Sequence, residues 1–227
     1  MTAAELDAVR LSLSVALRSV LVSLPFAVLV AWLLTRRKLR GKLLLDVLVH
    51  LPLVLPPVVV GYLLLLLFGV RGPIGQWLDE AFGVQLIFTT GGAALATAVM
   101  SFPLVVRAIR LSLEGIDRGL EDAARTLGAG AWDRFFTITL PLMLPGILAG
   151  SVIAFAAGLG EFGAVITFAS NIPGETRTLP LALYTALQTP GGETLAARLA
   201  GISIALGLMG LVAAELIARR MHTALGR

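Results

Sequence analysis

The sequence contains no cysteine and only two histidines, His50 and His222. The absence of cysteine excludes disulfide bonds and thiolate metal sites. The two histidines lie far apart in the chain, which argues against a zinc site, because zinc sites need several such ligands close together. We therefore predict no metal site.

Charge is also scarce, since 14% of the 227 residues are charged while 57% are hydrophobic. A soluble domain of this length cannot bury so much apolar surface, so the composition predicts an all-α polytopic membrane protein. The net charge of +4 does not indicate nucleic-acid binding, because topology governs where basic residues lie in a membrane protein. We predict a single membrane domain over residues 1–227, with its core at about 11–220.

Five hydrophobic stretches are long enough to cross a bilayer, which takes about 20 apolar residues. They run roughly over Leu11 to Leu34, Leu43 to Phe68, Phe88 to Ile109, Pro141 to Ala169 and Leu195 to Ile217. A sixth crossing would require residues 179–188 to count as a span, and this segment of the predicted external loop 171–192 is too short. Most basic residues fall in segments that an external N-terminus places in the cytoplasm, which predicts an external N-terminus and a cytoplasmic C-terminus.

Proline and glycine interrupt two of these spans. Pro52, Pro56 and Pro57 lie in the second span, and Gly160 and Gly163 lie in the fourth. Proline bends or breaks a helix, so each site is a candidate hinge for gating, although a fixed kink that aids packing would give the same pattern. Residues 158–163 spell G-x-G-x-x-G, but no strand precedes them, so we do not interpret them as a nucleotide-binding loop.

The first span carries a stripe of small residues and one internal charge. Ser12, Ala16, Ser19 and Ser23 recur at helical spacing, a pattern that lets membrane helices pack closely. Arg18 lies about two turns inside the span. It either extends its side chain to the outer interface or faces a polar cavity.

A polar segment, residues 117–141, separates the third and fourth spans. Leu120 and Leu127 fall with two alanines on one face of a short helix, which Asp117 can cap and Gly128 can end in the left-handed conformation. Glu121 and Arg125 form a pair four residues apart. A second short helix is predicted from Ala131 to Phe136, with Pro141 starting the next span. The segment would form a compact knob that fits a groove on a partner, although an ordinary helix-turn-helix loop is the alternative.

The spacing of this segment resembles the coupling loop of ABC-importer permeases, whose pattern is Glu-Ala-Ala, three residues, Gly, nine residues, Ile-x-Leu-Pro. The sequence departs from it once, with Asp122 at the usual Glu and Glu121 beside it. The resemblance implies that the segment docks on an ATPase. The residues concerned are Glu121, Asp122, Ala123, Ala124, Gly128, Ile138, Leu140 and Pro141.

Further stretches resemble molybdate permease subunits of the same importer family. Residues 51–62 look like their second span, and residues 160–164 and 171–181 are similar to the same family. The resemblance implies the type I importer fold and molybdate import. A tungstate or sulfate importer of the same build is the alternative, because tungstate is nearly identical to molybdate in size and charge. An ion-coupled secondary transporter is more distant, since it predicts inverted repeats and paired intramembrane carboxylates, and we find neither in the sequence.

The chain has no G-x-x-x-x-G-K-[ST] phosphate-binding loop, so we expect no cofactor here and ATP with magnesium on a separate ATPase subunit. The chain itself is predicted to be non-catalytic. The resemblance implies two permease chains, two ATPase chains and an external molybdate-binding protein at the bacterial cytoplasmic membrane, without nucleic acid.

A path for a dianion needs hydrogen-bond donors and few carboxylates. Glu161 would repel a dianion, so we predict that it faces a donor or the external vestibule. Membrane hydroxyls more often bond their own helix backbone, which is the alternative for every candidate. The candidate pathway residues are Thr89, Thr90, Thr97, Ser101, Ser151 and Thr167.

Glu175 and Arg177 lie in the predicted external loop, where a binding protein would dock. Their alternative role is that of ordinary solvated loop charges.

Overall fold

A computed structural model describes residues 2–36 and 40–224, with side chains omitted at 118, 214, 215 and 217–224. Every regular element in this part of the chain is helical. The elements are α1 (Ala3–Arg36), α2 (Lys42–Val54), α3 (Pro57–Phe68), α4 (Pro73–Phe82), α5 (Thr90–Glu114), α6 (Arg118–Thr126), α7 (Ala131–Arg134), a π-helical turn (Phe135–Thr139), α8 (Leu140–Leu159), α9 (Gly163–Phe168), α10 (Leu179–Leu187) and α11 (Glu193–Ala224).

The described helices give four spans of sufficient length and hydropathy, and a fifth if one bent pair counts as a span. The four are α1, α5, the continuous helix 131–159 and α11 up to Ala213. The bent pair is α2 with α3, whose axes differ by 118°. The predicted all-α membrane fold is confirmed. Helix α10 has nine residues, in agreement with the prediction that residues 179–188 are too short to count as a span.

Helix α1 begins at Ala3, about two turns before the predicted start at Leu11. Thr2 and Glu5 form a capping box: the Glu5 carboxylate accepts from the Thr2 N–H at 2.7 Å, and the Thr2 hydroxyl accepts from the Glu5 N–H at 3.3 Å. Glu5 is buried and also accepts from Arg198 Nη2 of α11 at 2.9 Å. Polar capping, rather than hydropathy, therefore sets this end of the helix.

At the centre of the fold, α1, α5 and α8 pack against one another. The predicted small-residue stripe of α1, from Ser12 to Ser23, is buried. Gly146 of α8 lies against α5 so closely that a Cβ there would come within 2.7 Å of the Ala108 carbonyl oxygen. Small residues thus let these membrane helices approach, as van der Waals packing without a hydrophobic driving force requires.

The second span is broken between Val54 and Pro57, as the prolines predict. Leu55 and Pro56 are extended, because a residue before proline is disfavoured in the helical region. Pro57 then starts α3 at a position where its missing N–H costs no hydrogen bond. Pro52 lies inside α2 and does not mark the break.

The fourth span is interrupted between Leu159 and Gly163, as the glycines predict. The carboxylate of Glu161 accepts from the Ala164 N–H at 2.9 Å, so it satisfies a donor at the start of α9. The prediction that Glu161 faces a donor is confirmed, and the donor belongs to the backbone of its own chain.

The predicted second short helix begins at Ala131 and Pro141 lies in the first turn of α8, but the two helices are continuous. Residues 131–159 form one continuous helix, in which α7 passes into α8 through the π-helical turn. The Leu140 N–H bonds to the Phe135 carbonyl, five residues back. This wider turn accommodates Pro141, which has no N–H to donate, without breaking the helix.

Candidate functional site

Helix α6 forms as the polar segment predicts. Asp117 Oδ1 accepts from the Gly119 N–H at 2.8 Å and caps the start of the helix. Gly128 follows its end with φ 89°, the left-handed conformation in which glycine avoids the Cβ clash. The Asp117 cap and the left-handed Gly128 therefore limit α6 to a short amphipathic helix between α5 and α7.

The apolar face of α6 is not covered by the rest of the described chain. Leu127 is 88% exposed, and Leu120 and Ala123 are also exposed. Trp132 of α7, 76% exposed, stacks on Phe136 with ring centroids 6.1 Å apart. We call the surface made by Leu120, Leu127, Trp132 and Phe136 the apolar knob. Large apolar side chains exposed together on one short segment are typical of an interaction site.

The two adjacent acids of the motif differ in environment. Glu121 turns toward the spans, where its carboxylate accepts from the buried Thr139 hydroxyl at 2.8 Å and lies 3.3 Å from Arg36 Nη2. The predicted pair of Glu121 with Arg125 is therefore replaced by contacts with the end of α1 and the π-helical turn. Asp122, at the motif position, is exposed.

The remaining motif residues attach the knob to the fourth span. Ile138 is half-buried in the π-helical turn, and Leu140 packs against the core formed by α1, α5 and α8. Pro141 is the second residue of α8. The motif thus has an exposed half around Asp122 and Ala123 and an anchored half around Ile138 to Pro141.

A second ionic group ties α2 to α5 at the same end of the molecule. Arg110 Nη1 lies 3.1 Å from Asp46 Oδ1, and Arg110 Nε donates to Glu114 at 2.8 Å. His50 Nδ1 lies 2.8 Å from the Asp46 carbonyl. We call the end that carries these groups, Arg36 and the apolar knob the basic end.

The opposite end contains the starts of α1 and α11 and the segment 171–178. Arg18 is exposed and lines a cavity of about 290 Å³ there, and its two predicted settings both stay predictions. The other residues of this cavity are Asp7, Arg10, Leu11, Ser14, Thr90 and Gly174.

The candidate pathway hydroxyls do not converge on one surface. Thr97 and Ser101 are buried between helices and bond the carbonyls of Ala93 and Thr97. Thr90 bonds across to the Glu175 carbonyl at 2.7 Å. Thr89, Ser151 and Thr167 bond carbonyls three or four residues back. Backbone bonding is thus the common state of these hydroxyls, and their pathway role stays a prediction.

Two of the candidate hinge residues, Pro57 and Gly163, lie against each other. A Cβ on Gly163 would come within 2.7 Å of Pro57 Cβ, and one on Gly61 within 2.8 Å of the Ala164 carbonyl oxygen. The break of the second span therefore abuts the break of the fourth, and α3 lies along α9. This pairing could not be read from the sequence, because the two breaks lie about a hundred residues apart.

Glu175 and Arg177 differ in exposure and in their contacts within the segment 171–178. Glu175 is exposed, whereas Arg177 is half-buried and its Nε donates to Asn171 Oδ1 at 2.8 Å. Asn171 in turn donates to Thr185 of α10 at 2.8 Å. Arg177 therefore holds the segment to α10, and docking at Glu175 and Arg177 stays a prediction.

Comparisons with known proteins fit this architecture. The family described as "Binding-protein-dependent transport system inner membrane component" matches residues 23–223. The molybdenum transport system permease protein ModB of Escherichia coli K12 is 62% identical over all of this chain and 99% of the relative. The ModB protein of Haemophilus influenzae is 58% identical over 98% of this chain and 97% of the relative.

A solved structure supports the fold at lower identity. The crystal structure of a bacterial ABC transporter involved in the import of the acidic polysaccharide alginate superposes with a TM-score of 0.77 at 17% identity, covering 97% of this chain and 80% of that one. The type I importer fold expected from the sequence is thereby confirmed. The chain belongs to the family of inner membrane components of binding-protein-dependent transport systems.

Proposed function

We propose that the chain is the permease subunit of an ATP-driven molybdate importer. The observation that carries this proposal is the similarity to molybdenum transport permeases over the whole chain, at 62% identity. The chain is a multi-pass inner membrane protein and supplies the spans rather than the ATPase.

The apolar knob at the basic end is the proposed docking surface for the ATPase. Leu127 and Trp132 would fill a groove on that subunit. Tryptophan is among the residue types that most often dominate the binding energy of such contacts. The exposed Asp122 adds a charge that a basic group on the ATPase would meet. ATP and magnesium would bind to that partner.

The same assignment orients the chain in the membrane. Arg36, Lys42, Arg110 and Arg134 lie at the basic end, and such a concentration marks the cytoplasmic side. The start of α1 would then be outside and the end of α11 inside. The segment 171–178 faces outward, where an external binding protein would dock near Glu175.

Two copies of the chain would form the path for the dianion. The exposed apolar side chains of α3, among them Tyr62 and Leu66, offer a surface for a second copy. The abutting breaks of the second and fourth spans lie behind this surface. Movement transmitted from the ATPase would change how α3 packs against α9.

The test is uptake of labelled molybdate into cells that lack their own permease and express this chain with its ATPase and binding protein. We expect ATP-dependent uptake that excess tungstate abolishes and excess sulfate does not. Uptake of labelled sulfate with molybdate as a weak competitor would retain the importer and overturn its substrate. An assembled complex without ATP-dependent uptake of any oxyanion would overturn the proposed function.

A further inference from the structure

A cavity of about 260 Å³ opens at the basic end, between the end of α1, the start of α2 and the end of α5. It is separate from the apolar knob and from the abutting span breaks. Its lining residues are Thr35, Arg36, Lys42, Leu113, Glu114 and Ile116.

Three buried polar atoms in this lining have no hydrogen-bond partner among the described residues. They are Arg36 Nε, Arg36 Nη2 and Thr35 Oγ1. The Arg36 side chain is only 7% exposed, so the fold withdraws most of its charged group from bulk solvent. Burying a donor without an acceptor costs roughly 1–3 kcal/mol, and more for a charged group. The lining of the cavity therefore calls for an acceptor.

The two carboxylates nearest the cavity do not accept hydrogen bonds from these unpaired donors. Glu121 approaches Arg36 Nη2 at 3.3 Å without forming a hydrogen bond, and its closer partner is Thr139. Glu114 accepts from Arg110 Nε at 2.8 Å. Lys42 has no ion pair with any residue that the structure describes. The Arg36 guanidinium, the Lys42 ammonium and the Thr35 hydroxyl thus line one cavity and retain hydrogen-bond donors without an acceptor among the described residues.

We propose that this cavity binds a phosphate-type oxyanion group through Arg36, Lys42 and Thr35. The planar guanidinium matches two oxygens of such a group, and the ammonium and hydroxyl can reach others. A cavity of this volume holds a tetrahedral oxyanion together with ordered water, given that one water occupies about 30 Å³ of liquid volume. The group would come from a lipid headgroup or from a free anion in the cytoplasm.

The position of the cavity fits both sources. Leu43 and Leu44, directly after Lys42, are 77% and 64% exposed, so apolar surface suited to acyl chains borders the cavity. The proposed orientation places the basic end at the cytoplasmic interface, where lipid phosphates and free oxyanions both occur. Because Arg36 also faces Glu121, an anion bound here would act on the same side chain that steadies α6.

The test uses the full chain purified in detergent, with two probes. Native mass spectrometry measures retained phosphatidylglycerol, and thermal unfolding measures stabilisation by sodium phosphate against sodium chloride at equal ionic strength. The variants are Arg36→Gln, Lys42→Gln and Thr35→Val. Arg40→Gln is the matched control, because Arg40 is exposed, basic and outside the cavity lining.

We expect Arg36→Gln and Lys42→Gln to weaken binding of one probe about tenfold or more, the loss that follows from a hydrogen bond to a charged group. Thr35→Val should weaken it less and keeps the test valid if Arg36→Gln folds poorly. Loss in the phosphatidylglycerol arm assigns the site to lipid, and loss in the phosphate arm assigns it to a free anion. Absence of binding in both arms, or an equal loss in Arg40→Gln, would overturn the proposal.

Discussion

At the scale of single residues, the adjacent acids Glu121 and Asp122 of the motif have different roles. Glu121 holds α6 to the spans through Thr139 and Arg36, and Asp122 remains exposed. The departure from the family pattern at Asp122 is thus on the exposed side. The carboxylate that contacts the rest of the fold is that of Glu121.

This division predicts different effects of removing each acid. We expect Glu121→Ala to lower the thermal unfolding midpoint of the purified chain, because the buried Thr139 hydroxyl loses its acceptor and the Arg36 guanidinium loses the carboxylate that lies 3.3 Å away. A net hydrogen bond contributes about 1 kcal/mol. Asp122→Ala, the matched control, should leave the midpoint unchanged, since no described contact depends on its carboxylate. Equal midpoints for the two variants would contradict the anchoring role of Glu121.

The contacts of Glu121 also mark the limit of prediction from sequence. The pair with Arg125 satisfies helical spacing, but the structure supplies a partner at position 36, far away in the chain. Which of two neighbouring acids turns inward depends on how α6 meets α1 and the π-helical turn. Local spacing contains no information on that tertiary contact.

At the scale of helices, small residues determine how closely the spans pack. Gly146 is the clearest case, because a Cβ there would lie 2.7 Å from a backbone oxygen and 2.5 Å from Ser112 Cβ. Neither atom is the free end of a flexible side chain. α8 and α5 would have to separate to admit even one methyl group.

We therefore expect Gly146→Ala to destabilise the chain by about 1–3 kcal/mol, the usual cost of overpacking a well-packed interior. Thermal unfolding in detergent measures the loss. Gly207→Ala in α11 is the control, because a Cβ built there would meet no atom of the described residues within 4 Å apart from its own helix backbone. That substitution should be neutral or stabilising, since alanine favours a helix over glycine. A stable Gly146→Ala variant would show that α5 and α8 do not pack as described.

The spans themselves were largely predictable, and their exceptions have identifiable causes. Hydropathy located the four long spans and the bent pair of α2 and α3, and proline and glycine located both breaks. The start of α1 was placed too late because hydropathy ignores the capping box of Thr2 and Glu5, although this signature is readable in the sequence. The continuity of residues 131–159 was missed because Pro141 normally ends a helix and only the π-helical turn removes the conflict.

At the scale of the whole molecule, the proposed function depends on what covers the apolar knob. Leu127 makes little contact within the chain, being 88% exposed. Its substitution should therefore leave the fold intact and act only on association with the ATPase.

We expect Leu127→Asp to weaken binding of the ATPase about thirtyfold, which corresponds to an interface hot spot of about 2 kcal/mol, and so to reduce co-purification of the ATPase with the tagged chain. The measurement is the amount of ATPase retained from native membranes. Leu187→Asp is the control, since Leu187 is 66% exposed on α10 at the opposite end. Equal retention by both variants would place the ATPase elsewhere on the surface.

The unbroken helix 131–159 has a mechanical consequence. Its 29 residues make a rod of about 44 Å at 1.5 Å per residue, comparable to the full thickness of a bilayer with its headgroups. Trp132 stands at one tip of this rod, and the other tip stops just before the interruption that adjoins α3. A force applied at the tryptophan would tilt the rod as one body, so the angular displacement would be delivered to the far leaflet without a chain of intermediate side-chain rearrangements.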